Sequence, residues 1–159
     1  MPDTVSILEG ALRPMSSDPE NRPHWDVFLR AMLDTLDAHM QPGERAVLLR
    51  AIGTQVAALL PITPQETLAD LEARMNERLA EPQWGVVSIA LDSNGPALVL
   101  THDMLPILPI GSDADGVWIM PVLEGMLAGW IATQPGAEPE LPAHLLSKGR
   151  GTAVLRYGA

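Results

Sequence analysis

At 159 residues, with 47% apolar and 19% charged residues, the chain has the length and composition of one folded domain with a single core. Its formal charge of −10 reflects 20 acids against 10 bases, of which Lys148 is the one lysine. The arginines are scattered, which argues against the clustered cationic surface that nucleic acid or an anionic membrane requires. With no cysteine, disulfides, thiolate nucleophiles and cysteine zinc sites are excluded.

Residues 1–22 are predicted to form a flexible arm preceding one domain over 23–159. Pro14, Pro19 and Pro23 punctuate a stretch without apolar periodicity. Asp3 and Glu9 interrupt the only apolar patch near the start, so it lacks the uninterrupted apolar run of a secretory signal. No segment reaches the roughly 20 apolar residues of a membrane span, and the nearest, 118–132, contains Glu124. A cytoplasmic location without membrane insertion is expected, with the periplasm as the alternative.

Three helices come next. Phe28 or Leu29, then Leu33, Leu36 and Met40, repeat at helical spacing over 25–40, and Gln41-Pro42-Gly43 stops that helix. A second is predicted from about residue 44 to 60, with Leu48, Leu49, Ile52, Val56, Leu59 and Leu60 apolar. Thr63-Pro64-Gln65-Glu66 reads as a capping box opening the third, whose buried stripe is Leu68, Leu71, Met75 and Leu79.

At Pro82 the period changes from helical to alternating. Val87, Ile89 and Leu91 mark a first strand, Asp92-Ser93-Asn94-Gly95 a turn, and 97–102 its antiparallel partner. After two loops, a helix is predicted over 121–133, then a Pro-rich loop, then a last strand over 151–157. The fold class is α+β: a three-helix segment, an antiparallel hairpin, a further helix and a C-terminal strand.

No chemistry-bearing constellation emerges. His24, His39, His102 and His144 fall in separate elements without zinc spacing, and His102 and Asp103 would point to opposite strand faces. Asp113 and Asp115 fall short of a calcium loop, which needs further spaced carboxylates and a terminal Glu. Glu124, inside the most apolar helix, must face water or meet a partner such as an arginine. A glycosidase would need a second acid across the bond. No nucleophile elbow, Walker loop or dinucleotide fingerprint is present. Neither a cofactor nor a metal is expected, and the chain reads as non-catalytic.

Two features invite binding. Gly125 and Gly129 give the 121–133 helix a smooth strip for close backbone approach, and its apolar residues cover more than one face. Trp25, beside Pro23 and His24, could stack on the C–H face of a sugar ring.

The runs Trp84-Gly85-Val86-Val87-Ser88-Ile89, His102-Asp103-Met104-Leu105-Pro106 and Gly116-Val117-Trp118-Ile119-Met120-Pro121-Val122-Leu123-Glu124-Gly125-Met126, continued by Trp130, Thr133-Gln134 and Gly136-Ala137, resemble the family of bacterial cellulose synthase operon protein D. The likeness extends over roughly residues 23–157. It implies a non-enzymatic α+β protein that assembles into an octameric ring of dimers with internal passages. Such a ring promotes export and crystalline packing of β-1,4-glucan made by the membrane synthase. Its implied partners are further copies of itself, the cellulose synthase complex with its accessory subunits, and the glucan chain.

On that resemblance the N-terminal segment faces the passage, making Arg22, Pro23, His24 and Trp25 the glucan-contact candidates. Trp118, Leu123, Gly125, Met126, Gly129 and Trp130 are the subunit-interface candidates. A stand-alone glucan-binding module of an exopolysaccharide system is the alternative.

Overall fold

The computed structural model describes residues 25–108, 113, 115–138 and 141–158. The arm expected over 1–22, together with Pro23 and His24, lies outside the described residues. The element order is α1 (Asp26–His39), α2 (Pro42–Leu59), α3 (Leu68–Ala80), β1 (Val86–Leu91), β2 (Leu98–Asp103), α4 (Ile119–Ala132), β3 (Ala143–Gly149) and β4 (Thr152–Tyr157). The strands form one antiparallel sheet in the order β1-β2-β4-β3, so the α+β class holds.

The break between α1 and α2 uses Gln41-Pro42-Gly43 twice. Met40 turns extended and ends α1, while Pro42 occupies the first position of α2, where its missing N–H costs nothing. The capping box sits here, not at Thr63: Glu44 Oε2 accepts the Gln41 backbone N–H at 3.0 Å while the Gln41 side chain caps in return.

The box expected at Thr63 does not open α3. The Gln65 backbone N–H donates to Gln134 Oε1 at 2.8 Å, which ties this segment, outside any helix, to the end of α4. Helix α3 starts four residues later, capped by Thr67, whose hydroxyl oxygen accepts the Asp70 N–H at 3.1 Å.

A second correction concerns the loop expected before the last strand. It contains β3, paired with β4 from Ala143↔Tyr157 to Gly149↔Thr152. A register shift between Leu145 and Ser147 interrupts the alternation that would have marked a strand, and Pro142 stands immediately before it.

Helix α4 lies between α2 on one side and β3 and β4 on the other. Leu123, Met126, Leu127 and Trp130 are buried there with Leu100 and Leu155 of the sheet. The approach of α2 is governed by glycine. A Cβ on Gly53 would collide with the Val122 carbonyl, and one on Gly125 with the Arg50 carbonyl. One on Gly129 would come within 3.0 Å of the Ala57 Cβ. Trp130 completes the seam by donating its indole N–H to the Leu60 carbonyl at 2.9 Å.

The outer edge of β1 is closed by side chains of α3. Asn76 accepts the Val87 N–H at 2.8 Å and donates to the Val87 carbonyl at 2.9 Å, as a neighbouring strand would. Glu72 accepts the Ile89 N–H at 2.8 Å. At the hairpin turn, Arg156 of β4 donates to Asp92 at 2.8 Å. That bond, with the Asn94 N–H, holds the Asp92 carboxyl below its ordinary value.

The glycine seam makes a sharp prediction. Gly53→Ala and Gly125→Ala should each destabilise the fold by about 1–3 kcal/mol or more, because the added methyl meets backbone that cannot yield. Gly43, also in α2, has open space around its Cβ position. Gly43→Ala should be neutral or stabilising by up to about 1 kcal/mol. Urea denaturation reads all three, and equal midpoints would contradict this account of the packing.

Candidate functional site

Helix α2 is apolar on two opposed sides. Leu49, Gly53 and Ala57 face α4 and are buried. Leu48, Ile52, Gln55 and Leu59 form a second stripe at the 4-3-4 spacing of a coiled-coil seam, and its three apolar members are exposed, Leu59 at 70%. Val47 beside it is exposed as well, and at the start of α1 so are Val27, Phe28 and Trp25. Trp25 and Phe28 meet edge to face with ring centroids 6.0 Å apart.

A polar feature lies where α4 emerges between α2 and β3. Arg50 Nε donates to Glu124 Oε2 at 2.6 Å, so the acid expected to need a partner has one. Glu124 is buried, whereas Arg50 stays half-exposed. Arg45 pairs with Asp37 across the α1–α2 corner. Asp113 braces the turn that leads into α4: its two carboxylate oxygens accept the Val117 and Trp118 N–H groups, each at 2.9 Å. The Trp118 indole N–H is held by the Leu108 carbonyl at 2.9 Å.

Of the glucan-contact candidates, Trp25 is solvent-exposed at the head of α1, and Arg22, Pro23 and His24 lie outside the described residues. Of the subunit-interface candidates, Trp118 and Gly129 are partly exposed. Leu123, Gly125, Met126 and Trp130 are covered by the chain itself, because the smooth strip receives α2 of the same molecule.

The outward stripe of α2, apolar in sequence but not among the site candidates, and Arg45 and Arg50 are evident only in the fold. The signal of the stripe was present: apolar residues on more than one side of a helix imply burial on more than one side.

His102 and Asp103 do diverge. The imidazole is fully buried and bonds the Trp84 carbonyl through Nε2 at 2.7 Å, while Asp103 accepts the Thr152 hydroxyl at 3.1 Å on the other face. The His102 Nδ1 has no partner among the described residues. No group of three or more acids and histidines among them could hold a metal. No helix among them is long and apolar enough to cross a membrane.

Both buried polar groups have measurable consequences. Arg50→Ala leaves the buried Glu124 carboxylate unpaired and should cost at least about 1 kcal/mol more than Glu124→Gln, which removes the charge, in urea denaturation. Burial lowers the His102 pKa, opposed by the Trp84 carbonyl and Asp103. Unfolding therefore takes up a proton below the ordinary histidine value of 6.5. The stability this neutral ring contributes is complete above that value and is lost as pH falls toward the depressed folded value. His102→Gln should flatten the fall in unfolding free energy between about pH 7.5 and 5, and an unchanged slope would discount the residue.

Comparison with known proteins gives a consistent picture. The family model for the D-type subunit of cellulose synthase matches residues 12–158. Cellulose synthase operon protein D of Komagataeibacter xylinus is 30% identical over 118 residues, 74% of this chain and 76% of the relative. The protein of the same name from Komagataeibacter sucrofermentans is 32% identical over 116 residues, 73% and 74% of the two chains. The matched span takes in all four helices and all four strands, and on these grounds the chain belongs to the family of cellulose synthase operon protein D.

Proposed function

We propose that this protein serves bacterial cellulose synthesis as a non-catalytic accessory component, a self-associating scaffold that promotes ordered packing of the exported β-1,4-glucan. The observation that carries the reading is the second apolar face of α2. Leu48, Ile52 and Leu59 leave large side chains in water on the helix that also seats α4. A partner helix presenting the same spacing would bury them, and a second copy of this chain supplies one. Trp25 and Phe28 form a second exposed apolar patch at the head of α1, adjoining in sequence the other glucan-contact candidates.

Family membership supports the pathway, because the matched family and relatives bear the name of cellulose synthase. A ring of copies, octameric by resemblance, would concentrate synthases and hold their chains in register. In this reading the ring sits on the cytoplasmic side beneath the synthase and contacts its accessory subunits. The buried Glu124, in this reading, serves the fold through Arg50 and is not a catalytic acid.

Analytical ultracentrifugation at micromolar concentration should show one defined assembly. The double variant Ile52→Glu/Leu59→Glu should sediment as a much smaller species with an unchanged circular dichroism spectrum. A parent protein that stays monomeric would overturn the scaffold. In cells lacking the chromosomal copy, the same variant should fail to restore crystalline cellulose yield.

A further inference from the structure

We propose that the structure holds a second carbohydrate site, separate from Trp25: a trough along the first ten residues of α4 that takes a neutral, extended oligosaccharide. The proposal rests on the reading above that this protein handles glucan, and it assigns a place and a chemistry for that contact.

Two clefts, of about 280 Å³ and 450 Å³, meet at Glu124. The first lies between the α1–α2 corner and the start of α4, lined by Asp37, Arg45, Leu49, Trp118 and Pro121. The second continues between α2 and β3, lined by Arg50, Thr54, Ala128 and His144. From Trp118 to Ala128 is ten helical residues, about 15 Å, so the two clefts together form a trough rather than a pit. An elongated ligand fits that shape better than a compact one.

Two charge pairs along the trough cancel, and Asp113, whose carboxylate accepts the Val117 and Trp118 N–H groups, is the one acid left over. Asp37 neutralises Arg45, and Glu124 neutralises Arg50. Each pair sets N–H donors beside carboxylate acceptors without a net charge, which suits hydroxyl groups that both donate and accept. A polyanion would meet three carboxylates and a chain of net charge −10. Arg50 commits its Nε to Glu124 and, among the described residues, makes no further hydrogen bond, so its terminal nitrogens remain available. Thr54 donates to the Arg50 carbonyl at 3.2 Å, and its oxygen can still accept.

At the far end, Trp118 supplies an apolar platform. Its indole N–H is already held by Leu108, so the ring is fixed before a ligand arrives and little entropy is lost on stacking. Trp25 stands twelve residues before Asp37, about 18 Å along α1, which keeps the two aromatic sites distinguishable.

The test uses the full chain labelled with fluorotryptophan, whose four resonances report on Trp25, Trp84, Trp118 and Trp130. Titration with cellotetraose should move the Trp118 resonance and leave Trp130 in place. Arg45→Ala and Thr54→Ala should each weaken binding several-fold, and the double variant at least about tenfold, with the Trp130 resonance confirming an intact core. A uronic-acid oligomer of the same length should bind more weakly.

Movement of Trp25 alone would overturn the trough while leaving glucan handling standing. Absence of any shift at millimolar cellotetraose would overturn both. An undiminished Trp118 shift in the double variant, or equal binding of the anionic oligomer, would overturn the assigned recognition chemistry.

Discussion

The contact between α2 and α4 sets the geometry of everything around it. Two helices at ordinary separation keep a layer of side chains between their backbones. Here Gly53 and Gly125 remove that layer, and each helix brings a peptide carbonyl to the place where the other would carry a methyl. The pairing is reciprocal, so neither helix can rotate or slide without driving backbone into backbone. Trp130 then locks the register at the far end through the Leu60 carbonyl.

This constraint explains how an unusually apolar helix is accommodated in a small domain. With α2 on one side and the sheet on the other, α4 is covered almost all round. Its one acid is tolerated because Arg50, one turn of α2 before Gly53, is carried to it by the same close approach. The cost is displaced onto α2, which satisfies α4 with one face and leaves the other unsatisfied. An exposed apolar surface thus arises as the outer side of an internal seam.

Much of the fold was legible from residue pattern. The helical stripes of α1 to α3 and the hairpin of β1 and β2 declare themselves through period and turn chemistry, since their buried positions are local. Where the expectations missed, the deciding partner was distant in sequence. Gln134 holds Gln65 and moves the start of α3, and β3 exists because β4 accepts it despite its bulge. The glycine strip of α4 was legible as a close-contact surface, but whether the approaching backbone belonged to the same chain was not. Likewise the partner of Glu124 could be expected by type, while Arg50, 74 residues away, required the fold.

The side-chain plug on β1 limits how copies of this chain can join. Asn76 and Glu72 occupy the backbone positions through which another strand would add, so that rim of the sheet offers no template for continuation. An unpaired strand edge is a place where copies of a protein can add to one another without limit. With this rim sealed, strand-on-strand accretion through β1 into open-ended fibrils is denied.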